Sequence, residues 1–183
     1  MTEVGAGLAD ELGYPQLSMG VVADRLGVKT PSLYKHVDGL ADLAHRIAVL
    51  ATTELGDAVR DATQGRAGTD ALQAAAEAMR RWVLDHPGRY AATLGARPTG
   101  PDDPLVAATD RSLGTFAAVL RGYQLPPGDQ VHALRMLRSA LHGFVTLEAA
   151  GGFQYDTDVT ASFAWLVSTI DQGLRTTATR PGS

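Results

Sequence analysis

Lys29, Thr30, Ser32, Tyr34, Lys35 and His36 fall within eight residues, and each carries a side chain able to hydrogen-bond. Only Leu33 and Val37, four residues apart and so on one helical face, can seat such a segment on a core. Donors and cations gathered at the start of a short helix suit a duplex, whose phosphates and base edges offer acceptors. Between Leu17 and Val37 the charge is Arg25, Lys29 and Lys35 against Asp24, a net +2 inside a chain of formal charge −4. A locally positive unit therefore sits in an acidic chain. The net charge argues against bulk attraction to nucleic acid but does not exclude a local basic face.

The flanking residues predict how that segment is held. Leu17 and Ser18 open a helix through Val21, Val22, Ala23 and Leu26, with the Ser18 hydroxyl as cap and Gly27 as stop. Thr30 is expected to cap the next helix and Pro31 to take its first position, where a missing N–H costs nothing. Two short helices joined by so tight a turn form a helix-turn-helix. Its second helix would lie in a major groove with its N-terminal residues near base edges, and its free N–H groups would favour a phosphate. The alternative is an ordinary helical hairpin with a solvated polar face. The N-terminal position and the scarcity of apolar anchors favour DNA.

Other chemistries are poorly served. The chain has no cysteine, which removes disulfides, thiolate nucleophiles and cysteine-ligated zinc. Of His36, His45, His86, His132 and His142, no two lie three or four apart, so no helix face presents a histidine pair to a metal. Asp42 and His45 have that spacing and are expected to be an exposed pair, while Asp103, beside Asp102, is accounted for as a helix cap. His142 and Glu148 are off a common face. No serine-hydrolase elbow, Walker loop or dinucleotide glycine pattern occurs. No catalytic residue, metal ligand or cofactor is assigned.

The chain has 183 residues, 45% apolar and 20% charged, enough for a core and too few charges for disorder. Apolar runs are far short of the roughly 20 residues of a membrane span. No leader follows Met1, so a cytoplasmic location is expected. Alanine and leucine at helical spacing predict an all-α chain. Helices are expected over 4–12, 18–26 and from 30, then from an Asp38 cap to about 64. Others follow over 69–85, 90–94, from Pro104, over 129–150 and over 159–176. The first is weakened by Gly5 and Gly7, each worth about 1 kcal/mol against alanine. This predicts a DNA-binding domain over 1–45, a larger ligand-binding and dimerising domain over 46–176, and a disordered tail over 177–183.

The helix over 129–150 is apolar on two faces: Leu134, Leu137, Leu141 and Phe144 on one, Ala133, Met136, Ala140, Gly143 and Leu147 on the other. The small second face and the stripe Phe163, Val167 and Ile170 of the last helix are expected to form a two-fold dimer interface. The alternative places both stripes inside one chain. Met79, Trp82, His86, Tyr90, Phe116 and Leu120 are candidates for an apolar small-molecule pocket, though residues at such spacing also serve as plain core.

The stretch "LADELGYPQLSMGVVADRLGVKTPSLYKHVDGLADL", Leu8 to Leu43, resembles the DNA-binding domain of the TetR family of transcriptional regulators. "LHGFVTLEAAGGF", Leu141 to Phe153, resembles a histidine–glycine segment of one subgroup. The resemblance implies DNA contact through Lys29, Thr30, Pro31, Ser32, Tyr34, Lys35 and His36, with Tyr34 and His36 at positions that meet phosphates. It implies a homodimeric repressor that binds a near-palindromic double-stranded operator and answers to a small-molecule effector. Gly20 and Leu40 stand where the family often carries a cation, and Met1 falls where its first helix is already under way, the expectation for a start assigned too late or a truncated chain. A helical adaptor that binds protein, and more remotely a small helical enzyme, are the rival readings.

Overall fold

The computed structural model describes residues 1–179. Among the described residues the chain is all-α, with an N-terminal helix-turn-helix arrangement and a larger helical body. In order the helices are α1 (Thr2–Leu12), α2 (Met19–Leu26), α3 (Thr30–Leu33), α4 (Leu40–Thr63), α5 (Gly68–Asp85), α6 (Pro87–Gly95), α7 (Pro104–Arg121), α8 (Gln130–Ala149) and α9 (Val159–Ala178). A single 3₁₀ turn, Tyr14–Gln16, links α1 to α2. No helix of the described residues is long and apolar enough to cross a membrane.

Local chemistry sets the boundaries. Ser18 accepts a hydrogen bond from the Val21 N–H at 3.3 Å, the expected cap of α2. Two other caps differ from expectation. Lys29, not Thr30, occupies the cap position of α3, so Thr30 and Pro31 are its first and second residues. At α4 it is the Asp38 N–H that donates, to Asp42 Oδ2 at 2.9 Å: the carboxylate one turn inside the helix reaches back over its entrance. Pro87 does break the preceding helix, yet it also starts α6, three residues earlier than expected, because proline is tolerated in a first turn. Helix α9 continues through 177–178, where a tail was expected. The rest of that expected tail, 180–183, lies outside the described residues.

Packing divides the chain discontinuously into two compact units. The first comprises 1–55 and 85–111, the second 56–84 and the described residues from 112. The first unit is therefore larger than the expected DNA-binding domain. Its core gathers Ala6 and Leu8 of α1, Met19, Val22 and Ala23 of α2, Leu33, Val37, and Leu43 and Ile47 of α4. Helix α6 adds Ala92 to that core. It also approaches α1 so closely that a Cβ on Gly88 would stand 1.9 Å from the Ala9 carbonyl oxygen, so only glycine fits. In the second unit Leu72 and Val83 of α5 and Leu137, Leu141 and Val145 of α8 are fully buried, with Phe163, Val167, Ile170 and Leu174 of α9 beside them in the core. There Asp171 accepts hydrogen bonds from the Tyr123 hydroxyl, the Thr69 hydroxyl at 2.7 Å and Arg175 Nε at 2.9 Å, tying α9 to the start of α5 and the end of α7.

Asp103 caps α7 as expected, its Oδ1 accepting the Leu105 N–H at 2.8 Å. Its role is wider than a cap. Oδ2 accepts the Thr99 N–H at 2.7 Å and the Thr99 hydroxyl at 2.8 Å, and His45 Nε2 of α4 lies 2.9 Å from Oδ1. The Thr99 and Leu105 N–H groups, with the weaker help of His45 and the Thr99 hydroxyl, hold this carboxyl well below the usual carboxylate range despite its burial. A depressed folded-state pKa stabilises the fold above the unfolded value of about 3.9, and that contribution is lost as pH falls toward the folded value. Asp103→Asn is therefore expected to melt below the wild type at pH 7, and the gap in Tm to narrow steadily below about pH 4. Melting curves at stepped pH check this; a gap independent of pH would contradict it.

Candidate nucleic-acid interface

The site is built from the α2–α3 turn outward. Gly27 takes the left-handed conformation, φ 66°, and its N–H and that of Val28 close on Asp24 and Ala23 carbonyls at 3.1 and 3.0 Å. A side chain at that φ would be strained. The chain leaves extended through Lys29 and enters α3, which has only four residues. The turn continues beyond it, with the His36 N–H on the Leu33 carbonyl at 2.9 Å. So short a helix has too few internal bonds to persist alone, and a single turn offers little dipole, so the phosphate preference expected of its N-terminus is small.

What holds it is Leu33 and Val37, 3% and 2% exposed in the first unit's core. Burial of each contributes about 1.5–3 kcal/mol. All the residues between them, and all but Thr30 of those just before them, are exposed. Lys29, Pro31, Ser32, Lys35 and His36 are exposed, Tyr34 is 56% exposed, and Thr30 is half-buried. The residues expected to meet DNA thus form one continuous outward surface.

Its electrostatics are set by which cations are already committed. Arg25, counted above toward the local charge, is held by Glu11 of α1 at 2.7 and 3.2 Å. Arg46 is held by Asp42 at 2.9 Å through both oxygens, so Asp42 pairs with Arg46, and His45 with Asp103, rather than with each other. Lys29 and Lys35 are the only lysines in the chain, and among the described residues neither enters an ion pair. Gly20 is half-buried and Leu40 is 40% exposed, so neither supplies the charge that the resemblance leads one to expect.

The other expected sites fare differently. Met79 and Trp82 of α5 and Phe116 and Leu120 of α7 are buried in the second unit, while Tyr90 is buried in the first and His86 is half-buried at the start of α6. Neither unit alone gathers all six. A cleft of about 390 Å³ opens in the first unit instead, lined by His45 and Thr99 to Pro104. The Asp103 carboxylate there already accepts four hydrogen bonds, counting His45, which marks the cleft as a structural joint. Among the described residues no group of three or more acidic or histidine side chains could hold a metal. Glu148 is bound by Arg80 of α5 at 2.6 and 2.8 Å, a partner that its spacing from His142 did not indicate.

Of the expected dimer surface, Ala133, Phe163, Val167 and Ile170 are buried within their own chain. An amphipathic stripe announces burial without saying what covers it. Met136 and Leu147 of α8 are 40% and 52% exposed, Ala140 and Gly143 between them are half-buried, and Trp165 of α9 is 71% exposed.

Residues 72–170 match the family described as tetracyclin repressor-like, C-terminal domain. An uncharacterized HTH-type transcriptional regulator of Mycobacterium tuberculosis is 36% identical over 175 residues, 95% of this chain and 79% of that protein. The uncharacterized HTH-type transcriptional regulator YobS of Bacillus subtilis is 30% identical over 95% of this chain and 90% of its own length. A TetR variant of Acinetobacter baumannii AYE, solved in complex with minocycline, shares the fold with a TM-score of 0.72 at 22% identity, covering 98% of this chain and 96% of that one.

Two substitutions test the surface. Lys35→Ala is expected to weaken binding to duplex DNA and to flatten the dependence of log affinity on log salt by about 1 per bound head. Tyr34→Ala is expected to weaken it as well. Both lie outside the core, so stability should stay within about 0.5 kcal/mol of wild type. Thermal melts and anisotropy titrations check this; unfolding by either variant would mean that the segment is structural.

Proposed function

The chain belongs to the TetR family of transcriptional regulators, and we propose that it acts there as a ligand-responsive repressor, binding a near-palindromic operator as a homodimer. The observation that carries the reading is the outward surface from Lys29 to His36, seated by Leu33 and Val37 and bearing both lysines of the chain. In this reading the segment enters the major groove, Lys29, Thr30, Pro31 and Ser32 nearest the base edges and Tyr34, Lys35 and His36 nearest the phosphates.

A homodimer presents two such surfaces to half-sites about one helical turn apart, so the operator repeats its sequence inverted. The proposed dimer face is the exposed one: Met136, Ala140, Gly143 and Leu147 of α8 with Trp165 of α9. Its small central residues permit close helix approach, and its exposed apolar rim is the kind that a partner covers. The effector is a small, largely apolar molecule held in the C-terminal body, with Met79, Trp82, Phe116 and Leu120 as the second unit's lining. The A. baumannii variant that shares this fold was solved with a small molecule, minocycline, bound. Such a ligand releases DNA only if it binds the non-binding arrangement better. Moving the populations from 1:99 to 99:1 takes about 5.5 kcal/mol of differential affinity.

Selection of random duplexes with the purified chain at moderate salt is expected to return an inverted repeat; no enriched sequence would refute DNA recognition. Light scattering at micromolar concentration is expected to give twice the chain mass, and Leu147→Glu to give the monomer with weakened operator binding. A monomeric wild type would refute the dimer.

A further inference from the structure

Helix α6 is a segment whose chain neighbours, up to Leu84 and from Ser112, belong to the other compact unit, yet it is built into the first. Its anchor is Arg89. The Arg89 N–H donates to Asp10 Oδ1 of α1 at 2.8 Å. Its guanidinium lies 2.9 Å from Asp10 Oδ2 through Nε, and Nη1 donates to the two oxygens of Glu54, on α4, at 3.2 and 3.0 Å. The three side chains are 17%, 14% and 29% exposed. One fork therefore joins the helix before the reading pair to the helix after it.

Stability alone does not explain this arrangement. Taking charges out of water is costly, and replacing a buried ionic cluster by neutral or apolar residues of similar shape often leaves stability unchanged or higher. Here Nε, close to Asp10, is buried without an aligned hydrogen bond, so the cluster is not even fully satisfied. What a guanidinium offers that an apolar side chain does not is direction: its donors leave in a fixed plane. Leu8 of α1, Leu43 and Ile47 of α4, and the Leu33 and Val37 that seat the reading segment share one core. The angle between α1 and α4 is thus passed to residues 29–36.

We propose that Arg89 is a positioning residue for operator binding: by bridging Asp10 and Glu54 it sets the aim of the Lys29–His36 surface without touching DNA. The proposal rests on the DNA-binding reading above. Its test compares wild type with the triple variant Arg89→Met, Asp10→Asn, Glu54→Gln, which removes the charges together and leaves none unpaired, and with Glu54→Gln alone, which removes one bridge. Each full chain is titrated against the selected duplex across a salt series and melted separately. The triple variant is expected to bind at least tenfold more weakly, with Tm close to wild type and an unchanged salt slope; Glu54→Gln is expected to lose about threefold. Binding within twofold of wild type in both variants would overturn the proposal. So would a slope flatter by about 1 per head, which would make Arg89 a phosphate contact, or a loss no larger than the unfolded fraction explains. Should the triple variant not fold, Glu54→Gln decides by the same criteria. A wild type that binds no duplex sinks the DNA reading and this proposal with it, and is told apart by the control titration.

Discussion

A helix of four residues cannot hold itself. The order of the Lys29–His36 surface is borrowed: Leu33 and Val37 enter a core made by α1, α2 and α4, and Gly27 bends the chain so that both can do so. Because the two anchors are four residues apart, one face of the turn is fixed and the opposite face is left to solvent. The polar residues are exposed because the seat consumes the only apolar side chains available. A core substitution far from the surface can therefore disturb its order, whereas a change on the surface should leave the fold intact.

Charge is partitioned in a way that serves the same surface. Arg25, Arg46, Arg80, Arg89 and Arg175 all hold carboxylates within the fold. The lysines, compact charges on flexible stems, are kept out of such pairs and appear only at positions 29 and 35. In an acidic chain with formal charge −4, the Lys29–His36 surface thus keeps two cations that no carboxylate of the described residues holds.

Several local signals in the sequence were accurate: Ser18 capping α2, Gly27 stopping it and Asp103 opening α7 all involve partners within a few residues, although Thr30 and Asp38, read the same way, do not cap their helices. What could not be read are links across long stretches of chain. Arg89 meets a residue 35 positions away, Arg80 meets Glu148 across 68, and His45 meets Asp103 across 58. No periodicity announces such pairs. The membership of α6 in the first unit depends on Gly88 meeting the Ala9 backbone, which is invisible until the two helices are packed. For Phe163, Val167 and Ile170 the stripe announced burial, and within one chain they are already buried.

The chain's lysine distribution offers a direct test of the central claim that residues 29–36 are the surface that meets DNA. Apart from the N-terminus, an amine-selective acylating reagent has only Lys29 and Lys35 to modify, so mass spectrometry of the free protein and of its complex with the selected duplex reads the interface at two defined points. Both lysines are expected to acylate readily in the free protein and to be strongly protected in the complex, and acylated protein should no longer bind. Equal modification rates with and without DNA, under conditions where the complex is demonstrably formed, would contradict the account.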